Sequence, residues 1–233
     1  MKLIALGDTH GTPYWKDILS IENPDKVVFI GDYFDGYDDR DEVGNFLEIV
    51  EYKEKTNAEV VLLLGNHDHH YLPEVGNSGV SRYQYKKAKM LEGLMEKYKH
   101  YFTMAHREED ILFTHAGVTK TFMNQTFGDG NWNTNNLVEL INQAFRKDPN
   151  IFAFNGFDFS GDDITQTPIW VRPYSLLIDA VPDFTQVVGH TIVENIVKED
   201  NIYFIDTMQT SHQYLVFEDG NVVVKQLVET INN

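Results

Sequence analysis

The chain has 233 residues, of which 42% are hydrophobic, enough for one domain with a sizeable core. Its 36 acidic side chains outnumber 19 basic ones, and the formal net charge of −17 disfavours broad binding to nucleic acid or to an anionic membrane surface. No cysteine is present, which excludes disulfides and thiolate chemistry.

In chain order, short apolar runs recur, and each ends in a polar cluster. Leu3-Ile4-Ala5-Leu6 leads into Gly7-Asp8-Thr9-His10, and Val27-Val28-Phe29-Ile30 into Gly31-Asp32-Tyr33-Phe34-Asp35. Val60 to Leu64 leads into Gly65-Asn66-His67-Asp68, Ile111-Leu112-Phe113 into Thr114-His115, and Val187-Val188 into Gly189-His190. Continuous apolar runs of this length, bounded by turn residues, predict strands buried on both faces. Between them, Val43, Phe46, Leu47 and Val50, then Leu91, Leu94, Met95 and Tyr98, fall at helical spacing. Strand–helix alternation predicts βαβ units and a mostly parallel first sheet.

Residues 118–183 break the alternation. A helix is expected where Leu137, Leu140, Ile141, Ala144 and Phe145 share one face, with loops rich in Gly, Asn and Asp beside it. Phe152, Phe154, Phe157 and Phe159 look exposed, and read as the core of a cap more than as a substrate platform. The segment is expected to be a cap inserted in a single domain spanning 1–233. After it, Ile202 to Ile205 leads to Asp206, and a hairpin is predicted with Asp219-Gly220 at its turn. The opening apolar stretch is too short for a signal peptide and no run is long enough to span a bilayer, so a soluble, cytoplasmic protein is expected.

In open α/β sheets the working groups sit beyond the carboxyl ends of the strands. Carboxylate, imidazole and carboxamide groups from distant segments can therefore meet at one sheet edge. With no thiolate among them, they form an oxygen–nitrogen donor set suited to Mn²⁺, Fe or Zn²⁺. Asp8 and His10 are two apart, so both can point the same way, and Asp32 has two oxygens with which to bridge two ions. Asn66, His115 and His190 would complete the shell of the second. Two ions roughly 3.5–4 Å apart can clamp a phosphoryl group and generate a bridging hydroxide.

Singly, each residue has a duller reading. Asp after a strand usually shapes a turn or caps a helix, and an isolated His is more often a hydrogen-bonded core residue. That reading is kept for Asp68, as a helix-starting group, and for His69 and His70, expected on a loop or at a helix start, where one of the two could line the pocket. It also covers His100, His106 and His212 as surface or packing residues, and Lys86, Lys87 and Lys89 as a solvated helix face. Tyr14 and Trp15 could pack beneath the first motif or stack on a base.

Taken together, Gly7-Asp8-Thr9-His10, Gly31-Asp32 with Asp35, Gly65-Asn66-His67-Asp68, the lone His115 and Gly189-His190 resemble the calcineurin-like metallophosphoesterases. Thr114-His115-Ala116-Gly117, Trp170-Val171-Arg172-Pro173 and Phe204-Ile205-Asp206-Thr207 make the chain similar to the phosphoprotein phosphatase branch, which includes bacterial and phage phosphatases and diadenosine tetraphosphate hydrolases. The resemblance implies a four-layer α/β/β/α sandwich. It implies Asp8, His10 and Asp32 on one metal, and Asp32, Asn66, His115 and His190 on the other. It implies His67 as general acid, Asp35 orienting it and Arg172 clamping phosphate; Asp206 is read more plainly, as the partner of a metal-held His.

There are departures. Position 192 is Ile where many relatives carry a further His ligand, so the first metal should keep an open position. Gly36 stands where the branch usually has a phosphate-gripping Arg, leaving open whether Arg40 substitutes for it. Met208 replaces an expected Gly.

The implied function is hydrolysis of phosphate monoesters, with a phosphoprotein or nucleotide as substrate and two divalent ions, Mn²⁺ foremost, as cofactors. The alternative is a diester or pyrophosphate hydrolase acting on dinucleoside polyphosphates, cyclic nucleotides or nucleic acid ends. A non-catalytic metal-binding scaffold comes last.

Overall fold

A computed structural model describes residues 1–36, 38, 40–77, 82–155 and 160–228. Tyr37, Asp39, Phe157 and Phe159, discussed above, lie outside the described residues.

The first sheet is built on parallel strands β1 (Lys2–Leu6), β2 (Lys26–Phe29), β3 (Glu59–Leu63) and β4 (Phe102–Thr103). The second contains β5 (Ala105–Glu108), β6 (Ile111–Thr114), β7 (Thr185–Val188), β8 (Val197–Glu199) and β9 (Ile202–Phe204). The hairpin β10 (Gln213–Glu218) and β11 (Asn221–Gln226) returns antiparallel to the first sheet, beside β1. Strand orders are β11-β10-β1-β2-β3-β4 and β5-β6-β7-β9-β8, so both sheets are mixed.

The predicted strands are all present. The short strands β4, β5 and β8 carry no apolar periodicity, and the sequence reading missed them. β8 is wholly exposed and pairs antiparallel with β9, so partner strands rather than side-chain burial define it.

The expected helices form as α2 (Glu42–Lys55), α4 (Ala88–Tyr98) and α6 (Leu137–Lys147). Asp41 begins α2 by accepting the Gly44 N–H at 2.8 Å, and Lys53 and Lys55 face its negative end. Four further helices, α1 (Trp15–Glu22), α3 (Asn66–His69), α5 (Lys120–Phe127) and α7 (Pro173–Asp179), complete the set among the described residues.

Period-two alternation in the strands separates the two sides of each sheet. Leu3, Ala5, Val28, Ile30, Leu63 and Leu215 of the first sheet meet Phe113, Val187, Tyr203 and Ile205 from the second, giving a core between the sheets. On the other side of the first sheet, Ile4, Leu6, Phe29 and Leu62 pack with Ile18, Phe46, Ile49, Leu91 and Met95 from α1, α2 and α4. The outer side of the second sheet is covered from the 118–183 segment. Leu112 shares a core with Phe122 and Ile141, and Val188, Ile202 and Phe204 pack with Leu176. The result is helices, two sheets and helices, the four-layer sandwich expected.

Phe152 is fully buried in that outer core, contrary to its exposed look in sequence, because Phe122 and Phe145 close over it. Trp15 is likewise buried against Phe29 and Tyr52, and Tyr14 stacks on His212 at 3.8 Å, which removes the base-stacking reading. Among the described residues, no helix is long and apolar enough to cross a membrane.

Candidate metal and phosphate site

Parallel pairing puts the carboxyl ends of β1, β2 and β3 at one edge, and those of β6, β7 and β9 at the facing edge of the second sheet. Asp8, Asp32 and Asn66 leave the first group, and His115, His190 and Asp206 leave the second. The two groups are tied directly. His190 N donates to Asp8 Oδ2 at 2.9 Å, and His115 Nδ1 donates to Ile30 O at 3.0 Å. At Gly189 the approach is so close that an added Cβ would lie 1.9 Å from Asp8 Oδ1, which accounts for the glycine before His190.

Among the described residues three groups of donor atoms lie within 4.8 Å of one another, Asp8–His10–Asp32, Asp32–His115–His190 and Asp35–His67–His70. Asp32 belongs to the first two. Asn66 Oδ1 lies 2.8 Å from His190 Nδ1 and 3.0 Å from His115 Nε2. All six side chains expected as metal ligands therefore converge, and five are buried while His190 is half-buried.

The hydrogen bonding tests whether a cation fits. A carbonyl can only accept, so Phe34 O, Ile30 O and Trp170 O fix which nitrogen carries the proton: Nδ1 of His10, Nδ1 of His115 and Nε2 of His190. The opposite nitrogens of His115 and His190 then turn lone pairs toward Asn66 Oδ1, and His115 Nε2 is also 3.4 Å from Asp32 Oδ2. A divalent cation would reconcile these facing acceptors, and the carbonyl-anchored imidazole is the usual support for a ligand His.

The electrostatics agree. Burial, then the neighbouring Asp206 and Asp32 carboxylates, push Asp8 well above the usual carboxylate range. Burial and Asp32 raise Asp206 to about 7. Asp8 Oδ1 and Asp206 Oδ1 are buried without a hydrogen-bond partner among the described residues. Burial also raises Asp32, but His115 and His67 outweigh it and hold that carboxyl low. Burial lowers His10 to about 4 and takes His190 well below the ordinary imidazole value, so both are held neutral, as ligands must be.

Backbone strain gathers here too. His10, Asp32, Asp35 and His190 have φ of 42°, 52°, 60° and 65°, a region that non-glycine residues rarely occupy.

His67 lies in the first turn of α3 and is anchored by its own backbone N–H on Asp32 Oδ1 at 2.9 Å. Its Nδ1 lies 3.0 Å from Asp35 Oδ2, which also accepts from His70 Nε2 at 2.8 Å. Asp35 Oδ1 accepts from Tyr71 Oη at 2.7 Å and from Gln84 Nε2 at 2.8 Å. Burial would raise Asp35, but these donors, His67 and His70 foremost, keep it well below the usual range. Sequence reading anticipated Asp35 beside His67 but not His70, Tyr71 or Gln84, which stand outside every motif. His70 and His69 both lie buried away from the pocket. His69 Nε2 donates to Pro149 O at 2.8 Å.

The ligand cluster opens on a pocket of about 380 Å³ that also receives His67, Trp170, Arg172 and Ile192. Arg172 donates through Nη1 to His190 O and Thr191 Oγ1, and through Nε to Ser160 O, at 3.0–3.2 Å. Arg40 pairs with Asp38 at 2.8 Å and lines a separate pocket with Lys16 and Glu48, so it does not replace the missing guanidinium. Asp206 lies beside Asp8, where the chain leaving β9 packs against Gly7 at the end of β1. Besides Arg172, the pocket receives a second guanidinium, that of Arg82, which sequence reading missed. Asp68, by contrast, organises backbone, accepting the N–H groups of Asp32, Tyr33 and Gly65 at 2.8–3.0 Å.

Comparison with known proteins gives a consistent answer. A sequence search of curated proteins found no match. Among solved structures, the chain is similar to a cold-active protein tyrosine phosphatase at 17% identity and TM-score 0.60, covering 97% of this chain and 76% of that one. It is similar to a serine/threonine protein phosphatase from Saccharomyces cerevisiae at 13% identity and TM-score 0.60, covering 100% and 82%. It also resembles a metallophosphoesterase from Sphaerobacter thermophilus at 14% identity and TM-score 0.51, covering 98% and 88%. At these identities the likeness is one of fold. The family profile of the calcineurin-like phosphoesterases matches residues 1–205, and the chain belongs to that family of phosphoester hydrolases.

Proposed function

We propose that this enzyme hydrolyses phosphate monoesters, carried by a phosphoprotein or a nucleotide, at a centre of two divalent ions. The observation that carries the reading is the pair of donor groups sharing Asp32 at the floor of a pocket that also holds His67 and Arg172. Asp8, His10 and Asp32 would hold one ion, and Asp32, Asn66, His115 and His190 the other. The mixed oxygen–nitrogen donors favour Mn²⁺, with Fe or Zn²⁺ as alternatives. When bound, such ions withdraw charge from phosphoryl oxygens and make water a stronger nucleophile at neutral pH.

The chain's own groups do the rest. Asp35, held by three other donors, His70, Tyr71 and Gln84, orients His67 through Nδ1, which leaves Nε2 as the ring nitrogen from which a proton passes to the departing oxygen. Arg172, fixed by His190 O and Thr191 Oγ1, offers a planar guanidinium to the phosphoryl oxygens as charge builds on them. Ile192 keeps one wall apolar and supplies no ligand.

The test is steady-state hydrolysis of p-nitrophenyl phosphate by metal-stripped protein, before and after Mn²⁺ is restored, with bis-p-nitrophenyl phosphate in parallel. Mn²⁺-dependent turnover of the monoester supports the proposal. Turnover confined to the diester would replace it with a phosphodiesterase reading.

A further inference from the structure

Position 36 is closed to any side chain. A Cβ there would lie 2.8 Å from His10 O and 3.0 Å from Glu42 Oε1, and the Gly36 N–H is already taken by the Glu42 carboxylate. A second guanidinium for the substrate has to come from elsewhere in the fold. Glu42 is buried, and its other oxygen accepts from Gln84 Nε2 at 2.8 Å. The same nitrogen donates to Asp35 Oδ1 at 2.8 Å. Gln84 thus spans the carboxylate that seals Gly36 and the carboxylate that orients His67.

Its neighbour Tyr83 stacks on Tyr71 at 4.9 Å, and the Gln84 backbone N–H donates to Tyr71 Oη at 2.8 Å. Three anchors therefore fix the chain immediately after Arg82, which lines the pocket with His10, His67 and Arg172.

We infer that Arg82 joins Arg172 in gripping the phosphoryl group, doing from the 82–84 segment what a side chain at position 36 cannot do. The inference rests on the phosphoester-hydrolase reading and deepens it to a substrate class, a terminal phosphate carrying two negative charges. A monoester dianion has three non-bridging oxygens, enough for a metal centre and for two guanidinium groups together. A diester has only two such oxygens and one charge, and cannot use both arginines as well.

The experiment measures inorganic phosphate binding to the Mn²⁺-loaded protein by calorimetry, for wild type, Arg82→Ala and Arg82→Lys. It is accompanied by kcat/KM on p-nitrophenyl phosphate and on bis-p-nitrophenyl phosphate. Arg82 is exposed, so neither substitution disturbs the core. Charge-assisted hydrogen bonds of this kind are worth about 10- to 100-fold. Arg82→Ala should weaken phosphate binding by about that factor and lower monoester kcat/KM in parallel, with a diester change of under about 3-fold. Arg82→Lys should recover part of the loss, keeping the charge without the planar fork.

Phosphate affinity unchanged in Arg82→Ala, or equal losses on both esters, overturns the inference. A wild type that turns over neither ester refutes the hydrolase reading instead, while phosphate binding still decides the role of Arg82.

Discussion

The backbone N–H of His190 donates to Asp8 Oδ2 at 2.9 Å, joining residues 182 positions apart and fastening the end of β7 to the end of β1. The second sheet thereby fixes where a first-sheet carboxylate points. The Asp8–His10–Asp32 group lies wholly past first-sheet strands, whereas Asp32–His115–His190 draws on both sheets, so the second group depends on how the sheets dock.

Asp8→Asn should act in opposite directions with and without metal. Burial and Asp206 make the Asp8 carboxylate costly in the metal-free protein, and an amide there can keep the His190 bond while offering a donor toward Asp206. Melting temperature of the metal-stripped protein should rise, whereas the stabilisation on adding Mn²⁺ should shrink and bound Mn²⁺ should fall below two. Scanning fluorimetry with chelator and with Mn²⁺, alongside elemental analysis, reads both arms. A stripped variant less stable than wild type would contradict the electrostatic account.

His67→Asn should separate chemistry from metal binding. The backbone of His67, not its ring, bonds Asp32, so Mn²⁺ stoichiometry should hold. Monoester kcat should drop by about 10²- to 10⁴-fold, the usual contribution of a general acid. Asp35→Asn should produce a smaller fall. Loss of Mn²⁺ in His67→Asn would mean the ring serves the metals instead.

His69 should lend the fold a pH dependence of known sign. Burial holds it at about 4, while the unfolded chain takes up that proton near pH 6.5. Its folded-state value is depressed, so the stability it confers is complete above about 6.5 and is lost as pH falls toward 4. Between pH 7 and 5 the loss is about 2 kcal/mol. Urea denaturation of His69→Gln, which can still donate to Pro149 O, should show an acid-side decline shallower by roughly that amount. Parallel declines in the two proteins would remove His69 as the cause.

Phe113→Ala should couple stability to metal affinity. The ring is fully buried between the sheets, edge-on to Phe217 at 5.7 Å, two residues before His115. The cavity should cost about 3–5 kcal/mol and also weaken Mn²⁺ binding. Leu91→Ala, at the fully buried interface of α4, should cost about 2–5 kcal/mol while leaving Mn²⁺ affinity within a fewfold of wild type. Equal effects of the two on Mn²⁺ would show that general loosening, not sheet docking, governs the centre.

Local pattern made much of this legible before the fold was known. Runs such as Val27 to Ile30 are too short for helices and too apolar for loops, and each stops at a group able to bind a cation, so strand positions and the six donor residues could be named together. The motif at His67 carried Asp35 with it for the same reason, both lying just past strand ends. β4, β5 and β8 were missed because their side chains have no alternation to read. α1 and α7 were missed because each is only about two turns long.

By itself, the sequence determined the strand order along the chain, the oxygen–nitrogen character of the donor set and the closure of cysteine chemistry, because these depend on residue type and near-neighbour spacing. Tertiary structure alone decided that Arg40 points to another pocket while Arg82 reaches this one, that His70, Tyr71 and Gln84 converge on Asp35, and that Asp206 meets Asp8. Those relationships arise where separate segments are brought together by two sheets packing face to face. No periodicity within a segment records which distant segment will lie against it.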